Sequence, residues 1–230
     1  MSEPVGLITG SEPFAGLPTN PAQLVLPHLD GQVVAGHRIV AIATPVSYAR
    51  LPTLLPELVA RHRPAYVMAL GLALGANVVR VEKFAINAAA FGVADNEGAR
   101  PASGERFAAD GPDGRAATWD AAAVVEAIMA QGIPARASYH AGTHLCNLTL
   151  YTYLAALEAA GAAAPCGFLH LPYLPEQIVW MIRRRGDAGD SAPTAPLDLP
   201  SMSFDMQLAA VRAAAGAIGR QAAQQGGTTQ

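Results

Sequence analysis

The sequence is poor in cysteine and in charged residues. Two cysteines in 230 residues are too few for a disulfide framework and are typical of a protein kept in a reducing compartment. Charged residues make up 14% of the chain, the net charge is −3, and no predicted face carries a cluster of Lys or Arg. Nucleic acid and acidic membranes are therefore not expected as partners. A surface with so little charge favours a subunit interface.

The sequence also has no segment of the kind that directs a chain to a membrane. Its N-terminus lacks a basic region followed by an apolar core, so no signal peptide is predicted. The longest run without charge, between Arg63 and Arg80, is shorter than a membrane span and is interrupted by proline, glycine and asparagine. We expect a cytoplasmic protein.

Hydrophobic residues make up 51% of the chain and fall into short apolar runs that alternate with helical patterns. Strands are predicted at residues 5–9, 38–43, 65–70, 78–86, 135–139 and 167–171. Helices are predicted after Asn20-Pro21, after a Ser47 cap, after an Asp120 cap, after Cys146 and over residues 203–224. This alternation predicts an α/β fold, a three-layer α/β/α sandwich with a mostly parallel sheet, in a single catalytic domain over residues 1–230.

Two segments lack any periodicity, and a third is ambiguous. Residues 88–118 are rich in Gly, Pro, Asp and Asn and are expected to form a functional cover. Residues 186–200 form a second predicted loop, and the segment from Ile178 allows no clear assignment. In parallel sheets, functional loops gather beyond the carboxyl ends of the strands, so we expect the segments at Gly10, Gly71, Cys146 and His170 to meet there.

Cys146 follows a turn of small residues and precedes an apolar run with helical character. A helix N-terminus has unpaired N–H groups and partial positive charge, so a thiolate is stabilised there. His170 lies 24 residues later at the end of the next strand, where an imidazole could take the thiol proton. Glu82 comes from an earlier strand and could hold the other imidazole nitrogen. Nucleophile, base and orienter on separate segments are typical of a triad assembled by folding.

Each of these residues also has a structural interpretation. Cys146 could be a buried core thiol, His170 a strand-end cap, and Glu82 an exposed strand residue. Cys166 lacks the turn-to-helix setting and is predicted to be a core thiol. A zinc site could be drawn from His140, His144, Cys146 and His170. The local spacing does not put two imidazoles on one helix face, however, so no metal is expected.

Several motifs along nearly the whole chain, in order, resemble those of the pyroglutamyl peptidase I (pyrrolidone-carboxylate peptidase) family of cysteine peptidases. The matching segments are residues 9–16 (TGSEPFAG), Asn20-Pro21, residues 82–87 (EKFAIN), 95–98 (DNEG), 141–147 (AGTHLCN), 167–177 (GFLHLPYLPEQ) and 200–203 (PSMS).

The resemblance implies Cys146 as nucleophile, His170 as base and Glu82 as its orienter. It implies release of an N-terminal pyroglutamyl residue from peptides, with no metal or organic cofactor, by a homo-oligomer, dimer or tetramer. By motif position, the substrate-binding residues would be Phe14, Val93, His144 and Leu145.

The chain departs from the family's motifs around the pocket. Ser11 stands where the opening motif has Phe, Ala76 and Gly92 stand where Arg is usual, and His144 replaces the Phe two residues before the cysteine. Two other functions therefore stay open: a cysteine amidase of the same fold with altered lactam or amide specificity, and a non-catalytic homologue that binds peptide ends or small ligands.

Overall fold

The computed structural model describes residues 3–187 and 198–227. Nine strands lie among these residues: β1 (Val5–Ser11), β2 (Val33–Val34), β3 (His37–Thr44), β4 (Tyr66–Leu72), β5 (Val79–Glu82), β6 (Phe84–Ile86), β7 (Gly114–Ala116), β8 (Ala135–Ser138) and β9 (Cys166–Leu171). The helices described are α1 (Pro21–Leu24), α2 (Leu51–His62), α3 (Ala121–Met129), α4 (Leu145–Ala159), α5 (Pro175–Asp187) and α6 (Phe204–Gly227).

Seven strands form the main sheet, in the order β2-β3-β1-β4-β9-β5-β8. Strands β3, β1, β4 and β9 are parallel, whereas β5 is antiparallel to β9 and parallel to β8. The predicted mostly parallel sheet is confirmed. The expectation that all four site segments leave from carboxyl ends at one edge was wrong for the Cys146 segment, because β8 runs opposite to β9.

The sheet separates two apolar cores. One core packs α1, α3 and α6 on one face, through residues such as Val25, Ile128 and Val211. The other packs α2 and α4 on the opposite face, through residues such as Leu55 and Leu148. Because strand residues alternate between faces, the central strands β3, β1, β4 and β9 contribute to both cores. The three-layer α/β/α arrangement predicted from the sequence is confirmed.

Local signals account for several helix starts. The Asn20 side chain accepts a hydrogen bond from the Ala22 N–H at 3.0 Å and Pro21 is the first helical residue, as predicted. Asp120 caps α3 through the N–H groups of the second and third helical residues, again as predicted. The prediction of a Ser47 cap was wrong, because α2 begins four residues later, at Leu51. The Ser47 hydroxyl instead accepts a hydrogen bond from the Arg50 N–H, in the turn before the helix.

Other sequence predictions needed correction. The strand predicted over residues 78–86 divides at Lys83, and its second part pairs as β6 with β7, inside the segment predicted to lack structure. The ambiguous segment from Ile178 belongs to α5. The predicted loop over residues 186–200 lies largely outside the described residues.

Candidate active site

Cys146 is the second residue of helix α4. His144 has extended backbone and caps this helix, and its carbonyl accepts hydrogen bonds from the Asn147 and Leu148 N–H groups at 3.1 and 3.2 Å. The Cys146 N–H lies one position earlier, in the turn whose N–H groups have no partner within a helix. The half-buried thiol thus lies at the positive end of α4, as the sequence predicted.

Asn147 attaches this helix start to the β6 segment. Its side chain is fully buried, accepts a hydrogen bond from the Ile86 N–H at 2.8 Å and donates to the Ile86 carbonyl at 2.8 Å. It also donates to the Ala88 carbonyl at 3.3 Å. Because Asn147 both accepts from and donates to the backbone of Ile86, it fixes the position of the N-terminus of α4 relative to β6.

Gly71, near the end of β4, leaves the space that the thiol occupies. A Cβ built on Gly71 would lie 2.9 Å from the Cys146 Sγ and 2.7 Å from the Phe168 Cζ. Real Cβ atoms are not found so close to other heavy atoms, so this position requires glycine as the structure stands. The nucleophile candidate therefore lies directly against the sheet at β4.

His170 and Glu82 form a buried pair next to the thiol. The Nδ1 of His170 lies 2.8 Å from the Oε1 of Glu82, and the two residues are 7% and 1% exposed. The second carboxylate oxygen of Glu82 is buried without a hydrogen-bond partner in the described part of the chain. Since a carboxylate can only accept, Nδ1 carries a proton and Nε2 is left to exchange one with another group.

The electrostatics of His170 tie it to the cysteine. Burial by itself lowers the pKa of this imidazole, but the negative charge of Cys146, a hydrogen bond to the Cys146 side chain and the contact with Glu82 together raise the pKa to about 9. The charged ring is thus favoured at neutral pH when the sulfur is a thiolate. This is the electrostatic arrangement of an imidazolium–thiolate pair.

Cys166 is placed differently. It is fully buried at the start of β9, and burial raises the pKa of its thiol. A thiol in that setting is inert as a nucleophile. The prediction that Cys166 is a core thiol is confirmed.

An apolar cavity opens beside the Cys146 sulfur. The side chains of Phe14, His144 and Leu145 line it, together with Val46 and Phe168. Three of the four residues predicted to bind substrate are therefore brought together here. The fourth, Val93, does not line this cavity.

Val93 instead holds His144 in place. The His144 Nε2–H donates to the Val93 carbonyl, with 3.1 Å between the two atoms, and the ring stacks on Phe14 and lies 4.0 Å, centroid to centroid, from Phe91. Burial lowers the pKa of His144 more than the Val93 contact and the charge of Asp95 raise it. The ring is accordingly neutral at pH 7, and it fills the place of the aromatic ring expected there.

A more open groove also borders the Cys146–His170 pair. Its lining includes Arg80, Glu82, Val93, Arg136 and Tyr139. The Cys146 sulfur and the His170 ring line this groove as well. The thiol thus borders both an apolar cavity and a more open groove that carries charged side chains, an arrangement suited to cleaving a bond whose two sides differ in polarity.

The histidines named for a possible zinc site are engaged separately. His140 accepts a hydrogen bond from the Gly142 N–H at 3.1 Å, while His144 contacts Val93. Across residues 3–187 and 198–227, no group of three or more His, Cys, Asp or Glu side chains is arranged to hold a metal ion. Within those same ranges, none of the helices is both long and apolar enough to cross a membrane.

Sequence reasoning placed the Gly71 segment in this region without its close approach to the thiol, and it did not identify Asn147, Arg80 and Arg136 as parts of the site. Asn147 stood inside a recognised motif, but its two-way backbone pairing depends on β6, which the sequence did not separate from β5. The two arginines are 56 residues apart in sequence, and only the pairing of β5 with β8 makes them neighbours.

The comparisons with known proteins agree with this geometry. The family model described as Pyroglutamyl peptidase matches residues 5–221 of the chain. Pyrrolidone-carboxylate peptidase 1 of Ralstonia nicotianae is 35% identical over 211 residues, which cover 92% of this chain and 91% of that protein.

Solved structures with the same fold carry related names. A mutant pyrrolidone carboxyl peptidase from the hyperthermophile Pyrococcus furiosus superposes with a TM-score of 0.85 at 29% identity, covering 94% of this chain and 99% of that one. Pyroglutamyl peptidase I of Bacillus amyloliquefaciens superposes with a TM-score of 0.83 at 30% identity, covering 95% and 98% of the two chains. With the family model spanning all but the ends of the chain, the protein belongs to the pyroglutamyl peptidase family.

Proposed function

We propose that this protein is a cysteine omega-peptidase that removes N-terminal pyroglutamyl residues from peptides, with Cys146 as nucleophile and His170 as base. The observation that carries the proposal is the contact of the Cys146 thiol with a His170 ring whose other nitrogen lies 2.8 Å from Glu82, at the mouth of an apolar cavity. Glu82 is a positioning residue, because it acts on the substrate only through His170.

The reaction is acyl transfer in two steps. The Cys146 thiolate attacks the carbonyl carbon of the pyroglutamyl amide, and the tetrahedral intermediate expels the amine, which takes a proton from the His170 imidazolium. A water molecule then gives a proton to neutral His170 and attacks the thioester. Pyroglutamate leaves, and the thiolate and imidazolium are restored.

The cavity and the helix start have distinct roles in this proposal. The apolar cavity, with Phe14, His144 and Leu145, receives the uncharged lactam ring, and Val93 supports it by holding His144. The Cys146 N–H, in the unpaired first turn of α4, stabilises the oxyanion of the intermediate. Chemistry of this kind requires no metal or organic cofactor.

A chromogenic pyroglutamyl amide tests the proposal. We expect release of the chromophore by the wild-type protein, loss of release in Cys146→Ala, and retention in the matched variant Cys166→Ala, provided that both variants keep the circular dichroism spectrum of the wild type. Turnover of small acyclic amides without turnover of the pyroglutamyl amide would favour the amidase. Absence of turnover, with no selective alkylation of Cys146 by iodoacetamide, would favour the binding protein.

The single catalytic domain over residues 1–230, the cytoplasmic location and the homo-oligomeric state, dimer or tetramer, stay predictions.

A further inference from the structure

Three residues next to one another across the sheet extend the site away from Cys146. His170 of β9 is in register with Arg80 of β5, and Arg80 is in register with Arg136 of β8. Residues in register share one face of a sheet. Val79 and Val81 pack into the core with α3 and α6, so Arg80 between them faces the side on which α4 carries Cys146.

The two guanidinium groups face the open groove, and neither has a carboxylate partner among residues 3–187 and 198–227. The Nε of Arg80 is shielded from solvent and has no hydrogen-bond partner among the described residues. Arg136 donates through Nη1 to the carbonyl of the adjacent Ala137, at 3.2 Å. Of the described residues that line this groove, Glu82 alone is acidic, and its Oε1 is already engaged by His170. A shielded N–H without a protein acceptor is available to a ligand oxygen that enters the groove.

The position of this pair relative to the scissile bond identifies what it would contact. The apolar cavity and the groove meet at Cys146, and His170 lines the groove but not the cavity, so a lactam in the cavity leaves the groove to receive the amine. Strands are about 4.8 Å apart, which puts the backbone of Arg80 about one strand spacing from His170 and that of Arg136 about 10 Å from it. These are the distances spanned by the first residue of the leaving peptide.

We infer that Arg80 and Arg136 bind a carboxylate on the first residue of the leaving group, and so give this enzyme a preference for acidic leaving residues. The inference rests on the proposed function and specifies its substrate class. The guanidinium fork matches the two oxygens of a carboxylate, and such charge-assisted hydrogen bonds are stronger than neutral ones. The carboxylate has two possible sources: the side chain of an acidic residue, or the free α-carboxylate of a pyroglutamyl dipeptide.

Four substrates separate these sources. Pyroglutamyl-glutamic acid α-amide is compared with pyroglutamyl-glutamine amide, and pyroglutamyl-alanine with its own amide. We expect kcat/KM to be at least about tenfold higher for the acidic member of one pair, mainly because its KM is lower.

The preference for the acidic substrate should fall in Arg136→Gln and in Arg80→Gln. It should persist in Arg61→Gln, which removes the same charge from an exposed position of α2. Arg136 is exposed, so its variant carries the test if Arg80→Gln does not fold.

The failure of this inference is distinct from that of the proposed function. Equal kcat/KM within both pairs, or a preference unchanged in Arg136→Gln, overturns the inference and leaves the peptidase intact. If none of the four substrates is cleaved, the proposed function fails. The inference is then tested by calorimetry, which measures the affinity of Cys146→Ala for the glutamic acid and glutamine amides. Equal affinity for the glutamic acid and glutamine amides then overturns the inference, whereas tighter binding of the acidic amide supports it.

Discussion

His170 and Glu82 meet across an antiparallel pair of strands inside an otherwise mostly parallel sheet. His170 on β9 is in register with Arg80, two residues before Glu82 on β5, and its Nδ1 lies 2.8 Å from the Glu82 Oε1. Both side chains are shielded from water, so the contact is not weakened by solvent as a surface ion pair would be. The antiparallel direction of β5 relative to β9 thus brings the Glu82 carboxylate into contact with the His170 imidazole.

The first prediction concerns the pH dependence of catalysis. The pKa of His170 is raised to about 9, so the imidazolium that protonates the leaving amine persists through neutral pH and is lost above that value. We expect kcat/KM to fall on the alkaline side with an apparent pKa near 9, a value that belongs to the Cys146–His170 pair. Cys146→Ala removes the charge and the hydrogen bond of the sulfur, the largest of the causes that raise the pKa, so the NMR titration of His170 should shift to lower pH although Glu82 remains. An unshifted titration would contradict the coupling of these two residues.

The second prediction concerns Glu82. Glu82→Gln keeps the shape of the side chain and removes its charge, so the pKa of His170 should fall and the ring should lose its fixed tautomer. We expect kcat to decrease by about a hundredfold or more, with little change in KM. The NMR titration of His170 distinguishes a positioning role from a structural one, because a merely destabilised protein would lose activity without a lower pKa.

The third prediction concerns Gly71. In Gly71→Ala the new methyl group would lie 2.9 Å from the Cys146 Sγ, so the sulfur or the backbone must move. We expect activity to fall at least about tenfold and the free energy of unfolding to fall by about 1–3 kcal/mol, as is usual for overpacking. Gly216→Ala is the matched control, because its Cβ would meet only the tip of Arg220 at 3.4 Å. Wild-type activity in Gly71→Ala would show that the thiol does not depend on this close approach.

The fourth prediction concerns the aromatic wall of the cavity. His144→Ala removes both the ring that stacks on Phe14 and the bond to the Val93 carbonyl, so KM for a pyroglutamyl amide should rise about tenfold while kcat changes little. His144→Phe keeps the ring and should retain most of the affinity. Equal losses of affinity in the two variants would assign the effect to the hydrogen bond instead of the ring.

Much of the fold could be predicted because its signals are local. Apolar runs gave the central strands, and the Asn20-Pro21 and Asp120 caps gave the starts of α1 and α3. Ser47 carried the same cap signal, yet α2 begins at Leu51, because Ser47 accepts from the Arg50 N–H in the turn before the helix. A cap residue predicts a helix start to within a few residues only.

The site was less predictable because its parts meet through pairing between distant strands. Nothing local to residues 78–86 reveals that β5 runs antiparallel to β9, so the residues alone offered Glu82 only as one possible partner of His170, and the family resemblance singled it out. The neighbours Arg80 and Arg136 are placed by the same reversal. The space that Gly71 leaves for the sulfur requires three-dimensional coordinates, since a glycine at a strand end has many uses.

Trapping the acyl-enzyme tests the central claim most directly. The wild-type protein is mixed with a pyroglutamyl ester, quenched in acid within the first turnover, digested and analysed by mass spectrometry. We predict a mass increase of one pyroglutamyl group on the peptide that contains Cys146, and none in Cys146→Ala. A pyroglutamyl adduct on Cys166, or amine release by the wild-type protein without any adduct on Cys146, would contradict the account.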